Sequence, residues 1–339
     1  MSTTPETQTR ASRRSARRRR RWVKPLVITL TSVLVLLAGA IGGYLAWINH
    51  AVDANVKRES LLPTTTIPGV VAPTRAEAAK DSLNLLLLGS DSRGQDQGRS
   101  DVIVLAHISD DRSRVDLIHF PRDLWVDIPG RGKNKINAAY AYGGAPLLVQ
   151  TLQTLIKVPV DHAAMVDFEG FKAMTDAVGG VDVQVTESSP GYPKGLMHMN
   201  GEQGLVFVRD RHDLSQGDIS RGQRQQAFIK AVMLKGLSKD VLLNPVRLAS
   251  FIDAATKNMT VDQDFDLGTI RSLALSMRNI RGGDVHFWEA PWTGVGTSSG
   301  GASIVNMSVE QMNTLSAALM NDSMSTYVDN VSPKHGFGG

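Results

Sequence analysis

The stretch LLLLGSDSRGQDQGRSDVIVLAHISDDRSRVDLIHFPRD, residues 85–123, decides the fold of this chain. It contains three short apolar runs, LLLL, VIVLAHI and VDLIHF, and polar turn residues separate them. Short apolar runs bounded by turn residues are typical of buried β-strands. The stretch therefore predicts three strands of one sheet.

Acids and arginines recur where these predicted strands meet their loops. Asp91 follows the first run, Asp101 precedes the second, and Arg122 and Asp123 follow the third. In open α/β sheets, ligands bind in the crevice outside the carboxyl ends of the strands. The pattern favours a binding site at this edge, although turn residues and solvated ion pairs at strand ends would give the same spacing.

The amino terminus combines a basic tail with an uncharged segment. Residues 1–24 carry nine Arg or Lys and one acid, and residues 25–48 carry no charge. As a helix, the uncharged segment would be about 36 Å long, enough to cross a hydrocarbon core of about 30 Å. The positive-inside rule then predicts a cytoplasmic tail, a single-pass signal anchor in the cell membrane and an extracytoplasmic remainder, rather than a nucleic-acid-binding arm or a cleaved signal peptide.

After the anchor, the sequence predicts a linker and one folded domain. Residues 49–82 contain PTTTIP, which is typical of a semi-extended spacer. Over residues 83–325 strands alternate with helices, which predicts an α/β domain with a central mixed sheet layered between helices. We expect loops at 191–201 and 296–301, a helix that begins near Pro146, a long helix over 219–237 and a flexible tail over 326–339.

The residue types at the predicted edge suit a pyrophosphate bound with a hard cation. Asp91 and Asp101, with no Cys in the chain, are the oxygen ligands that Mg²⁺, or Mn²⁺ in its place, prefers. Arginines bind phosphate oxygens through forked, charge-assisted hydrogen bonds. No GxxxxGK[ST] motif occurs, which excludes a P-loop. Outside the cytoplasm, where nucleoside triphosphates are scarce, a membrane-bound pyrophosphate lipid is the expected substrate class.

Seven motifs in order resemble those of the LytR-CpsA-Psr family: GSDSR, GRSD, HFPRD, KINAAYAYGG, GGVDV, RDRH and GDISRGQRQQ. The resemblance implies a phosphotransferase that moves an anionic glycopolymer from a polyprenyl-pyrophosphate carrier onto peptidoglycan. Three alternatives stay open: a non-catalytic membrane-anchored binder of lipid-linked wall precursors, a pyrophosphatase acting on the carrier, and a transcriptional attenuator.

The resemblance also implies roles for individual residues. Asp91 and Asp101 fall on metal-binding acids. The residues implied to bind pyrophosphate are Arg99, Arg122, Lys135, Arg209, Arg211, Arg221 and Gln225. The implied catalytic group is Asp101, Arg99, Arg122 and Asp123, in which Asp123 orients an arginine or acts as an acid or base. Asp210 departs from the family pattern, since no carboxylate is expected between the paired arginines.

A polyprenyl carrier also requires a long apolar groove, because each buried methylene contributes about 0.8 kcal/mol. We expect this groove between the sheet and the helices after Gly144, opening beside Arg122 and Arg221. Its expected walls are Leu148, Leu152, Phe168, Phe171 and Phe228.

Overall fold

The computed structural model describes residues 42–44, 46–47, 50, 53–64, 70–90, 100–210, 213–215 and 218–331. The chain divides into two compact units, residues 1–51 and 52–339, and every element named below belongs to the second unit. The expected membrane span, 25–48, lies almost entirely outside the described residues. Among the residues that are described, no helix is both long enough and apolar enough to cross a bilayer.

Strands and helices alternate along the described chain. The strands are β1 (Lys57–Glu59), β2 (Leu83–Ser90), β3 (Ser100–Ile108), β4 (Val115–His119), β5 (Trp125–Ile128), β6 (Gly132–Lys135), β7 (His162–Asp167), β8 (Val181–Val185), β9 (Gly195–Met199), β10 (Met259–Asp262), β11 (Val285–Glu289), β12 (Trp292–Thr297) and β13 (Ser303–Met307). The helices are α1 (Ile136–Ile156), α2 (Phe168–Ala177), α3 (Gly201–Arg209), α4 (Asp218–Gly236), α5 (Lys239–Leu242), α6 (Pro245–Lys257), α7 (Leu267–Ser276) and α8 (Val309–Met320).

Seven strands form one mixed sheet in the order β1-β10-β7-β2-β3-β4-β11. The three strands predicted from the opening stretch are confirmed as β2, β3 and β4, which are neighbours in this order. β2 is parallel to β7 and antiparallel to β3, β3 is antiparallel to β4, and β4 is parallel to β11. The carboxyl ends of β2, β4, β7 and β11 therefore meet at one edge, which we call the strand edge.

Helices cover both faces of this sheet, because successive residues of a strand point to opposite faces. On one face, Leu86, Leu88 and Ile103 pack against Leu148 and Leu152 of α1 in a cluster that also includes residues of α8. On the other face, alternate residues of β3, β4 and β11 pack in a cluster with residues of α4 and α7. The expected α/β layering around a mixed sheet is confirmed.

Parts of the expected linker and tail belong to the folded unit. β1, inside the expected linker, pairs with β10, and Leu61 is buried in the core. At the other end, Tyr327 is buried and its ring lies edge-on to that of Trp288 at 5.1 Å. The chain therefore packs on the domain over more residues than 83–325. Residues 332–339 of the expected tail lie outside the described residues.

Two expected loops contain strands. Residues 191–201 include β9, which pairs with β8, and residues 296–301 include the last two residues of β12 and part of the turn that leads to β13. By contrast, the expected helix start near Pro146 is confirmed, because α1 is interrupted at Gly143 and Gly144. Gly144 has a φ of +65°, a conformation that glycine adopts at little cost, so Pro146 enters at the beginning of the second helical segment.

Candidate active site

The strand edge brings the ends of β2 and β3 side by side. Ser90 pairs with Ser100, Gly89 pairs with Val102, and the register shifts between these two pairs, which leaves Asp101 as the extra residue of a β-bulge. Bulges redirect side chains and are frequent next to active sites. Asp101 therefore lies near the amino end of β3, beside the carboxyl end of β2. The side chain of Asp101, and all of Asp91, Arg99 and Arg211, lie outside the described parts.

Arg122 reaches the same edge from β4. Val104 of β3 pairs with His119, and the Phe120 backbone N–H donates to the Ile103 carbonyl at 2.8 Å. β4 ends at His119, and Arg122 lies in the turn that follows this strand. Two backbone hydrogen bonds fix the turn after β4: the Asn137 N–H donates to the Arg122 carbonyl at 3.2 Å, and the Val305 N–H donates to the Asp123 carbonyl at 2.9 Å.

Asp123 lies between two cations. Its Oδ1 accepts from Nζ of Lys135 at 2.8 Å, and its Oδ2 lies 3.6 Å from Nε of Arg122. All three side chains are largely buried, with about one fifth to one quarter of each exposed. A carboxylate in this position restricts the orientation of both cations, which fits the orienting role that we expected for Asp123.

An apolar cavity of about 200 Å³ lies between the sheet and the helices α2, α4 and α6, beside the strand edge. Gly89 and Val102, at the ends of β2 and β3, line it together with Gln225 of α4. Gln225 is buried, and its Nε2 donates to the Val208 carbonyl at 3.4 Å. Arg221 lies one helical turn before Gln225 on the same face of α4. The structure thus brings the α4 residues towards the strand ends that carry the acids.

The expected groove walls are correct only in part. Phe171 lines the cavity. Leu148 and Leu152 do not, because α1 packs on the opposite face of the sheet, where both side chains are fully buried. Phe228 is also fully buried and lies behind the cavity wall, with its ring 4.9 Å from that of Phe171. The side chain of Phe168 lies outside the described parts.

Arg224 forms a buried centre that the sequence analysis missed. The residue is 3% exposed, and its Nη1 donates to Oδ2 of Asp210 at 2.9 Å. Its Nη2 donates to the Glu187 carbonyl and to Oγ of Ser189, each at 2.9 Å. Its guanidinium carbon lies 4.5 Å from the centroid of the Phe207 ring, within range of a cation–π interaction. We call these residues the Arg224 cluster.

Two carboxylates of the Arg224 cluster hold the chain between α3 and α4. Glu187 accepts from Oγ of Ser220 at 2.6 Å and from the Ser215 N–H at 2.5 Å, and these hydrogen bonds lower its pKa. Burial raises the pKa of Asp210, but hydrogen bonds and the Arg224 charge outweigh it and place that pKa below its usual range. Asp210 and Ser215, which lie on either side of Arg211 in the sequence, are therefore both held by hydrogen bonds. Arg209 lies exposed at the end of α3.

A sequence signal for this cluster existed. Arg224 precedes Phe228 by four residues, so both lie on one face of the long predicted helix. A face with a large apolar residue is buried, and a buried charge requires a partner. Asp210, the carboxylate that departs from the family pattern, is that partner.

Of the two predicted metal ligands, Asp91 lies outside the described residues, and Asp101 is described by its backbone alone. Within the described residues, no group of three or more His, Asp or Glu side chains could hold a metal ion, and the side chains of Asp91 and Asp101 are not among those residues. Two carboxylates on adjacent strand ends, with no thiolate in the chain, nevertheless form a donor set that fits a hard divalent cation.

Comparisons with known proteins find relatives whose names refer to the bacterial cell wall. It is 38% identical over 193 residues to the polyisoprenyl-teichoic acid–peptidoglycan teichoic acid transferase TagU of Bacillus anthracis, a match that covers 55% of this chain and 64% of the relative. It is 29% identical to the cell wall biosynthesis protein LcpA of Corynebacterium glutamicum, with 84% of this chain and 63% of the relative covered. Each match thus spans less than two thirds of the relative's own length.

Among solved structures, TagT bound to LI-WTA is similar with a TM-score of 0.57 and 26% identity, and the match covers 76% of this chain and 99% of TagT. The same α/β fold is therefore present in both proteins. The model of the LytR_cpsA_psr family matches residues 44–321, which is most of the chain. The chain belongs to the LytR_cpsA_psr family.

Proposed function

We propose that this protein transfers an anionic glycopolymer from a polyprenyl-pyrophosphate carrier to peptidoglycan. One observation carries the proposal: an apolar cavity reaches the ends of β2 and β3 at Gly89 and Val102, where the polar residues Asp167 and Gln225 also line it. A molecule with a long apolar chain and a pyrophosphate head matches both halves of this site. The name of the relative TagU, a polyisoprenyl-teichoic acid–peptidoglycan teichoic acid transferase, supports the same class of substrate and acceptor.

The cavity suits part of a lipid chain. Its volume of about 200 Å³ is smaller than the roughly 300 Å³ at which pockets for drug-sized ligands begin. A polyprenyl carrier would therefore place only its first carbons there, and the rest of the chain would lie outside. Each methylene that leaves water contributes about 0.8 kcal/mol, so even a short enclosed segment stabilises the complex.

The cations at the strand edge suit the pyrophosphate. In the proposed reaction an acceptor hydroxyl attacks the sugar-proximal phosphorus, a new P–O bond forms, and the bond to the departing lipid phosphate breaks. The hydroxyl loses its proton in the same step, and that proton ends on the departing lipid phosphate or in solvent. Arg122 and Lys135, held by Asp123, would neutralise charge on the phosphate oxygens. Arg209 and Arg211, which flank Asp210 in the sequence, would act together with Arg221 of α4 and with Arg99 from the β2–β3 connection.

Asp91 and Asp101 would hold Mg²⁺, or Mn²⁺ in its place, at the strand edge. A bound divalent cation supplies charge stabilisation to the pyrophosphate during phosphoryl transfer. The two acids come from consecutive strands joined by the GSDSR and GRSD motifs, so the chain would present them without a large rearrangement of the sheet.

The proposed location is the outer face of the cell membrane. The basic residues 1–24 and the uncharged residues 25–48 support a signal anchor with a cytoplasmic amino terminus. The polyprenyl carrier and the peptidoglycan acceptor would both be accessible to a domain on the outer side.

A paired assay tests the metal role. Purified full-length protein receives a synthetic polyprenyl-pyrophosphate glycan and peptidoglycan fragments, and polymer on peptidoglycan and retained labelled lipid are measured separately. Asp101→Ala should abolish transfer while lipid is still retained through the arginines and the cavity. Asp127→Ala is the matched control, because Asp127 is an exposed acid on β5. Retained transfer by Asp101→Ala in the presence of EDTA would refute the metal assignment alone.

A second pair of variants tests the arginines. Arg209→Lys or Arg211→Lys keeps the charge but loses the forked donor, and each should remove most of the transfer activity. Arg271→Lys on the exposed surface of α7 is the control and should be silent. Wild-type protein that retains lipid but never transfers polymer would make the protein a binder. Release of phosphate without polymer on peptidoglycan would make it a pyrophosphatase.

A further inference from the structure

The turn that joins α4 to α6 presents apolar side chains to solvent. We call residues 239–247, which include α5, the α5 corner. Leu243 and Val246 are 77% and 75% exposed, and Leu242 is exposed as well. Their neighbour Val241 is fully buried and anchors the corner to the domain. Contiguous apolar side chains on a soluble surface often mark a contact with a membrane or with another protein.

Basic side chains surround these apolar ones. Lys239 and Arg247 are exposed at the two ends of the corner. The acid between them, Asp240, pairs with Lys235 of α4 at 3.3 Å. Residues 1–24 have a net charge of +8 within a total of +4, so the rest of the chain is acidic on balance. The α5 corner is therefore basic although the chain after residue 24 has a net negative charge. Its positive charge complements an anionic surface.

The apolar cavity has one end at the strand edge and an opposite end near Met233 of α4. The α5 corner lies beyond this opposite end. Along α4, the cavity is lined from Gln225 to Met233, which is about 12 Å of helix. Phe251 of α6 lines the cavity too, and a Cβ built on Gly236 would lie 3.1 Å from its ring, so the end of α4 packs closely on α6. The α5 corner connects these two helices.

We propose that the α5 corner docks on the anionic surface of the membrane. Leu242, Leu243 and Val246 enter the headgroup region, while Lys239 and Arg247 contact lipid phosphates. This docking would let a lipid chain that leaves the cavity pass directly into the bilayer. That consequence rests on the proposed function, whereas the docking rests on the surface alone and is measured without any transfer assay.

The test uses full-length protein in vesicles and a fluorescent reporter. Because the chain has no Cys, Val246→Cys carries a single environment-sensitive label, and Leu196→Cys is a matched control on β9 with 72% exposure. In vesicles of phosphatidylglycerol and phosphatidylcholine, the label at position 246 should shift its emission to shorter wavelengths and be quenched by nitroxide lipids. The label at position 196 should show neither effect.

Charge reversal separates membrane contact from protein contact. Lys239→Glu with Arg247→Glu, in the labelled Val246→Cys background, should reduce the nitroxide quenching several-fold, because the anionic surface attracts the two basic side chains and repels the two acidic ones. A label at position 246 that behaves like the one at position 196 would overturn the proposal. A shift to shorter wavelengths that persists without lipid quenching would indicate a protein contact at the corner and would overturn it as well.

Discussion

The Arg224 cluster allows a quantitative prediction about stability. Asp210→Ala removes the only described side-chain carboxylate that pairs with Arg224, and it leaves a guanidinium that is 3% exposed. Removing one partner of a buried ion pair costs about 3–5 kcal/mol. We expect the lower end, about 3 kcal/mol, because Asp210 is 15% exposed and Arg224 keeps two further oxygen acceptors.

The assay is urea or thermal unfolding of full-length protein in detergent, followed by tryptophan fluorescence. A loss of about 3 kcal/mol corresponds to a fall in Tm of about 6–12 °C for a domain of this size. Asp182→Ala is the control: Asp182 pairs with His198 at 2.8 Å, but both side chains are at least 60% exposed. Exposed pairs contribute about 0–1 kcal/mol, so this control should change little. Equal effects of the two variants would refute the argument.

The pH dependence gives a second test of the same pair. The pKa of Asp210 in the folded protein lies below its ordinary value of 3.8. A carboxyl with a lowered folded-state pKa stabilises the fold above its unfolded pKa, and this contribution is lost as the pH falls through the folded value. The difference in the free energy of unfolding between wild type and Asp210→Ala should therefore be constant from about pH 5 to about pH 7. This difference should become smaller only below about pH 4.

Three further predictions concern other parts of the molecule. A reporter fused after Gly339 should be active only outside the cytoplasm, and protease added to intact protoplasts should remove the domain; protection would refute the proposed topology. Ile229→Trp should fill the cavity, so the amount of lipid retained should fall while the Tm stays within a few degrees of that of the wild type. Unchanged lipid retention would exclude this cavity as the lipid site. Tyr327→Ala should destabilise the fold by about 3 kcal/mol, measured by urea unfolding, because it removes a buried aromatic side chain from Trp288; an effect below 1 kcal/mol would contradict that packing.

The local pattern of apolar and turn residues was sufficient to predict the neighbouring strands β2, β3 and β4 of the seven-stranded sheet. It was insufficient to predict the outermost strand β1. β2, β3 and β4 were predicted because each combines a dense apolar run with turn residues at its ends. β1 lacks such a run, and its partner β10 lies about 200 residues away, so only tertiary structure could place it. Outside this sheet, β12 of the two-stranded β12–β13 sheet was missed because its glycines, Gly294 and Gly296, have low strand propensity.

The candidate site divides in the same way. The motifs predicted Asp101, Arg122 and Gln225 near one edge; Gln225 lines the cavity with Gly89 and Val102, and the shared site of the three residues stays a prediction. The groove walls were partly wrong because helical spacing identifies which residues of a helix are buried but not which face of the sheet the helix covers. Leu148 and Leu152 have the expected periodicity and lie on the opposite side.

Helix α4 explains why so polar a segment as RGQRQQ lies inside the domain. Residues four positions apart share one face of a helix. Gln225 and Ile229 face the cavity, and Arg221 lies on the same face, one turn closer to the amino terminus of α4. Arg224 and Phe228 face another direction, where they pack on α3 and the β8–β9 hairpin. Because both faces belong to one rigid helix, the Arg224 cluster fixes the rotation of α4 and so determines where Arg221 and Gln225 point. A buried ion pair that is not itself proposed to contact the substrate would in this way set the geometry of the proposed pyrophosphate site.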